Sequence, residues 1–149
     1  MIETCSEIMA HAYNLNMITA RDGNISVRWE SQPFWFITPA GVRKQHLQPA
    51  MWKKISVSRY ENGEPMILDY TPMSEKLVPS SEYPIHSRLQ EMLPTGVDNR
   101  VVLHLHPTYI NAAMHRGLKS MSWSMIFQSW VFILRLLPVC LTLLPSHRF

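Results

Sequence analysis

Val101-Val102-Leu103-His104-Leu105-His106-Pro107 reads as a buried β-strand, Val101–His106, stopped by a proline. Successive side chains on a strand point to opposite faces, so His104 and His106 share one face. Two imidazoles held side by side on a rigid element make half of a zinc site, and a complete site needs at least one more protein ligand. A strand this apolar seldom spends positions on polar side chains without a partner for them.

The strand fits an ordered sequence of elements. Residues 2–14 read as an amphipathic helix, with Ile2, Cys5, Met9 and Ala12 or Tyr13 at helical spacing and Glu3 and Glu7 off that stripe. Asn14 and Asn16 suit its end. The turn Arg21-Asp22-Gly23-Asn24 leads into a strand, Ile25–Trp29, and Pro33 precedes another, Phe34–Ile37. Strands Ile55–Tyr60 and Met66–Leu68 flank a hairpin signal centred on Asn62-Gly63. Pro79-Ser80-Ser81-Glu82 opens a helix running to about Leu93, with a serine as cap and Ile85, Leu89 and Met92 or Leu93 as its apolar stripe. A helical stretch from about Thr108 to His115 follows the His-x-His strand. This order predicts a mixed α/β layered fold.

Composition narrows the function. The 149 residues suffice for one domain with a real core. A net charge of +3 without a Lys/Arg cluster gives no nucleic-acid footprint. Cys5 and Cys140 offer no disulfide framework, and the N-terminus has no signal-peptide pattern, so a cytoplasmic setting is expected.

Several further residues carry chemistry in combination. Glu82, at a helix start, is either a charge favoured by the helix dipole or a carboxylate held near a cation. His86, one turn on, shares its face and either orients Glu82 or fills the core edge. Gly23-Asn24 and Ser80-Ser81 supply backbone N–H groups and hydroxyls of the kind that bind phosphate oxygens, although each alone is an ordinary turn or cap.

Taken in order, Gly23-Asn24-Ile25-Ser26, Ile37-Thr38-Pro39-Ala40-Gly41, Pro79-Ser80-Ser81-Glu82 with His86, and Val102-Leu103-His104-Leu105-His106-Pro107 resemble the class II aldolase/adducin family over residues 2–117. The resemblance implies an α/β/α layered fold with a central, mainly antiparallel sheet, lacking its C-terminal part. It implies His104 and His106 as ligands of a divalent metal, usually zinc, and Glu82 as the catalytic acid/base. Gly23, Asn24, Gly41, Ser80 and Ser81 match phosphate-binding positions, and His86 would support Glu82. The implied substrate is a ketose phosphate or related sugar acid phosphate, cleaved by retro-aldol chemistry in a homotetramer. Glu rather than Asp after the serines resembles aldolases of the fuculose- or rhamnulose-phosphate type more than 4-epimerases. A non-catalytic adducin-like interaction module, or an epimerase or decarboxylase of this fold, is the alternative.

Two departures stand out. Ala40 replaces the serine of many members, removing one hydroxyl donor to phosphate. The family's third metal histidine lies several dozen residues beyond the His-x-His strand, past Phe149. Residues 118–149 differ in kind: all 11 acidic residues lie between Glu3 and Asp98, and none follows. Three readings compete for this tail: a membrane anchor over Met125–Leu144, a buried helix finishing the domain, or an out-of-frame or mis-spliced segment. Gln128, Arg135 and Pro138 count against the anchor, and the abrupt loss of acidic residues and glycine favours the last.

Overall fold

Among the described residues, seven antiparallel strands form one sheet, in the order β4 (Glu64–Leu68), β3 (Lys53–Glu61), β2 (Phe34–Ile37), β1 (Asn24–Trp29), β5 (Asn99–Leu105), β6 (Trp130–Arg135) and β7 (Leu141–Leu143). The helices are α1 (Ile2–Asn14), which precedes β1, and α2 (Pro72–Glu75) and α3 (Tyr83–Met92), which lie between β4 and β5 in the chain. This computed structural model describes residues 1–29, 31–68, 71–93, 99–107, 112, 130–135 and 141–143. The expected helix at Thr108–His115 lies outside the described residues except for Ala112, which is helical.

Period-two alternation gives the central strands two unlike faces. Ile25 and Val27 of β1 and Val101, Leu103 and Leu105 of β5 join Cys5, Met9 and Ala12 of α1 in the main core. The apolar stripe of α1 thus covers one face of the sheet. On the other face of β1 and β5 stand Asn24 and Ser26 opposite His104 and Val102 in the antiparallel register. There α3 packs. Trp35, Ile37 and Ile55 extend this second layer, with Tyr83 against them. The α/β/α layering follows from one helix on each face.

The hairpin forms as its Asn-Gly signal requires. Asn62 and Gly63 connect β3 to β4 with φ of 53° and 82°, the left-handed pair of a type I′ turn.

The predicted inner stripe of α3 is not its buried face, although Leu89 and Leu93 are half-buried. Ile85 is 55% and Met92 70% exposed, whereas His86, Ser87 and Gln90 are buried. The helix turns a polar face inward because the sheet face beneath it is polar, so hydrogen bonds replace apolar contact. Its start also differs: the helix begins at Tyr83 with Glu82 at the N-cap position, and the Ser80 hydroxyl accepts from the Glu82 N–H at 3.4 Å.

Within 125–144, the described residues are strands, where an anchor or a buried helix would be helical. β6 pairs along β5 from Leu105↔Trp130 to Arg100↔Arg135, and β7 adds to β6. Branched and aromatic residues of β6 suit a strand, and Pro138 would break a helix. Among the described residues no helix is long and apolar enough to cross a membrane.

Candidate metal centre

Glu82, His104 and His106 each offer one ligand atom, and these atoms lie within 4.8 Å of one another. His104 stands near the end of β5. His106 lies just past it, where its backbone N–H donates to Met17 O at 2.9 Å and ties it to the segment after α1. The two imidazole rings are 4.5 Å apart, centroid to centroid. Glu82 comes from the opposite layer, at the head of α3.

Three segments meet here through backbone pairing. Thr38 N–H donates to Ile25 O at 3.1 Å, and the Thr38 hydroxyl accepts from Ile25 N–H at 3.3 Å. Ala40 N–H then donates to Val78 O at 2.9 Å, and Ser80 N–H to Thr38 O at 3.2 Å. The Thr-Pro-Ala-Gly turn is thereby laced to β1 on one side and to the Ser80-Ser81-Glu82 segment on the other. Lys44 reinforces it: its buried ammonium donates to Pro39 O at 2.9 Å, and burial, opposed by Asp22, pushes its pKa down to about 8. Gly41 is exposed with φ of 72°, and Ser81 is also exposed, while Ser80 is buried.

Hydrogen bonds converge on one oxygen of Glu82. Asn24 Nδ2 donates to Oε2 at 2.5 Å, and His104 Nδ1 pairs with the same Oε2. Burial by itself would raise the Glu82 carboxyl. The hydrogen bonds from His104 and Asn24, with the electrostatic influence of His104 and then His86, outweigh burial and bring it down to about 2. His86 is neutral for a different reason: complete burial, helped by His104, pushes its pKa to about 3. Burial and then His104 also lower the His106 pKa, which favours the neutral imidazole that metals bind.

A divalent metal fits these residues. His104 Nε2 is buried and has no hydrogen-bond partner among the described residues. A buried imidazole nitrogen left without a partner is costly unless something binds it. Two imidazoles and a carboxylate are a three-ligand set used by catalytic zinc sites, with a fourth position open.

The structure thus brings Asn24, Glu82, His86, His104 and His106 together. Asn24, expected on phosphate, is only 4% exposed and has its amide carbonyl engaged by His86 Nε2 and its NH2 group on Glu82. Two members of the cluster escaped sequence reasoning. Ser26 Oγ lies 2.7 Å from His86 Nδ1, and Gln90 Nε2 donates to Ser26 Oγ at 2.9 Å. The available signals were the spacings: Ser26 two residues from Asn24 on a strand, Gln90 four from His86 on a helix.

Neutral His86 makes a pH prediction. Its pKa is about 3 folded against 6.5 in its ordinary state, so the unfolded chain binds the extra proton between those values. Stability contributed by His86 is present above pH 6.5 and is lost as pH falls toward 3. The slope is about 1.4 kcal/mol per pH unit. His86→Gln should flatten that part of the stability profile, measured by urea unfolding across pH; an unchanged slope removes His86 from the acid response.

An α/β/α fold carrying a two-histidine, one-carboxylate centre defines a class of metal-site domain. The chain belongs to the class II aldolase and adducin N-terminal domain family, which matches residues 3–133 and so runs beyond Gly117. Among solved structures, an L-fuculose 1-phosphate aldolase shares the fold with a TM-score of 0.57 and 18% identity, covering 75% of this chain and 46% of its own. A YgbL from Klebsiella pneumoniae, described as a putative aldolase/epimerase/decarboxylase, aligns with a TM-score of 0.55 and 22% identity, covering 74% and 46%. The L-fuculose-1-phosphate aldolase of Thermus thermophilus gives 0.54 and 19%, covering 76% and 49%. The chain therefore spans about half the length of these proteins. No curated protein sequence matches it.

Proposed function

We propose that this chain carries the metal and acid/base centre of an aldolase-type lyase that cleaves a ketose phosphate by retro-aldol chemistry, with zinc as the metal. The observation supporting this is the convergence of Glu82, His104 and His106 from two layers of the fold. Bound there, zinc would act as a Lewis acid on the ketose carbonyl. His104 and His106 would hold the metal through ring nitrogens. Glu82 is the group that takes the substrate hydroxyl proton as the C–C bond breaks, its electron pair passing toward the carbonyl. The exposed backbone of Gly41 and the Ser80-Ser81 hydroxyls lie on segments laced to this centre, and Gly23 shapes the turn that leads into it. They are the groups for the phosphate. A homotetramer, as the resemblance implies, and a cytoplasmic setting, as the cysteine usage suggests, accompany this reading.

Purified chain loaded with zinc should cleave a ketose 1-phosphate in a coupled assay for the triose product. Glu82→Gln should lower kcat by at least about 100-fold. Parallel assays for 4-epimerisation and decarboxylation separate the other reactions of this fold. Zinc-loaded chain that binds metal tightly yet cleaves none of a panel of ketose 1-phosphates would sink the lyase reading.

A further inference from the structure

Lys44 is a buried cation that the proposed chemistry leaves unused, with 2% of its surface exposed. It begins a single 3-10 turn, Lys44–His46, shortly after Gly41. A lysine is almost never buried this fully without a fixed partner. Its partners lie on two different turns. The ammonium donates to Pro39 O at 2.9 Å, and the Lys44 backbone N–H donates to Ala20 O at 2.8 Å. Ala20 leads into the turn that carries Gly23 and Asn24, and Pro39 belongs to the turn that carries Gly41. Burial works against the charge and Asp22 works for it; with a pKa of about 8, Lys44 is mostly protonated at neutral pH.

The bond to Pro39 O fixes a peptide plane. Pro39 O and the Ala40 N–H belong to one planar unit. Lys44 holds its carbonyl end, and its N–H end donates to Val78 O at 2.9 Å. With both ends tied the plane cannot rotate, and Gly41 follows from a fixed base.

The other donors of this turn are spent. Pro39 has no N–H. The Thr38 N–H goes to Ile25 O, the Ala40 N–H to Val78 O, and the Ser80 N–H, on the facing segment, to Thr38 O. The Gly41 N–H has no hydrogen-bond partner among the described residues. A free backbone N–H at a turn is a donor for an anion. A carbonyl turned the same way would repel that anion. Lys44 draws Pro39 O to itself and sets a positive charge behind the turn, where a low dielectric lets it be felt at a distance.

We propose that Lys44 is a positioning residue for a phosphate subsite at Gly41: it locks the Pro39–Ala40 peptide, leaves the Gly41 N–H to the anion and lends its charge from behind. This rests on reading Gly41, Ser80 and Ser81 as the groups for the substrate phosphate. It adds to them a cation that does not itself touch the ligand.

Inorganic phosphate reads the subsite without turnover. In the 15N-labelled full chain, added phosphate should shift the Gly41 backbone amide. Lys44→Met, which keeps the length and removes the charge, should weaken phosphate affinity about tenfold or more. Zinc affinity should stay within about twofold, because Lys44 touches none of the three metal-site residues. A variant that unfolds at lower temperature yet binds phosphate as before makes Lys44 a purely structural group and overturns the proposal. Should Lys44→Met fail to fold, the unmodified chain decides. Its Lys44 Nζ signal, slowed in exchange by burial and assigned through bonds, should move with the same phosphate midpoint as the Gly41 amide. An Nζ signal unmoved at saturation overturns the proposal. Kinetics give a further arm: Lys44→Met should raise KM for the ketose phosphate about tenfold while kcat stays within about twofold. A fall in kcat at unchanged KM is the contrary result. Phosphate that shifts no amide of the turn removes the subsite and the proposal with it. Phosphate binding without turnover sinks the lyase reading alone and leaves the Lys44 result standing.

Discussion

Replacing His104 and His106 together with Ala will abolish stoichiometric zinc binding. Purified chain should hold one zinc per molecule, and the double variant none at the same free zinc, with affinity reduced more than about 100-fold. That exceeds the 10–100-fold typical of losing only a supporting partner of a ligand. The reason is ligand count. A catalytic zinc needs three protein donors, and Glu82, His104 and His106 are the set that gathers within 4.8 Å among the described residues. Removing both imidazoles leaves one carboxylate, already hydrogen-bonded by Asn24. Affinity is measured by competition with a chromophoric chelator. Thermal unfolding gives an independent readout, because a ligand that binds only the folded state raises Tm with its concentration. Tm should rise with added zinc for the unmodified chain and stay flat for the variant. Equal zinc content in both chains would remove the two histidines as ligands.

Why the histidines were visible in sequence, while the groups behind them were not, follows from how each is encoded. A strand has a period of two, so His104 and His106 declare their common face without knowledge of the neighbours. The main core was equally plain: Cys5, Met9 and Ala12 of α1 lie at helical spacing, and all three are buried. The Asn62-Gly63 turn needs only its own dihedrals. In α3 the same logic points the wrong way. Ile85 and Met92 mark an apolar stripe, yet His86 and Gln90 face the sheet. Apolar spacing predicts the inner face only where the opposing surface is apolar. Here β1 presents Asn24 and Ser26 to the helix, and buried polar groups are stable once paired. A polar face on α3 and a polar face on β1 each look like solvent-facing surface when read alone. Their complementarity appears only when the two are packed together. The tail is a third case. The loss of acidic residues over 118–149 favours an out-of-frame or mis-spliced segment, and length and hydropathy over 125–144 allow a helix. The described residues Trp130–Arg135 nevertheless pair along β5 as a strand, as the propensity of Val131, Phe132 and Ile133 allows.

Gly23→Ala should be the most damaging single-methyl change near the centre. Gly23 sits at φ of 69°, in the left-handed region that alanine occupies at a cost, and it precedes Asn24 directly. A Cβ there would lie 2.5 Å from Ile18 Cγ2 and 3.1 Å from the backbone oxygen of His104. Ile18 is buried and β-branched, so it has little freedom to withdraw. Backbone strain and overpacking together should cost about 2–5 kcal/mol. For a chain of this size, Tm would fall by on the order of 5–15 °C. Gly41 provides the internal comparison: its φ is 72°, yet no heavy atom lies within 4 Å of where its Cβ would stand. Gly41→Ala should therefore show only the backbone cost, about 1–2 kcal/mol. The difference between the two variants isolates the steric term. Because that term presses on the carbonyl of His104, Gly23→Ala should also weaken zinc binding, whereas Gly41→Ala should leave it unchanged. Equal Tm losses in the two variants, with zinc affinity intact in both, would show that the β1 turn and the His104 strand are not packed against each other as described.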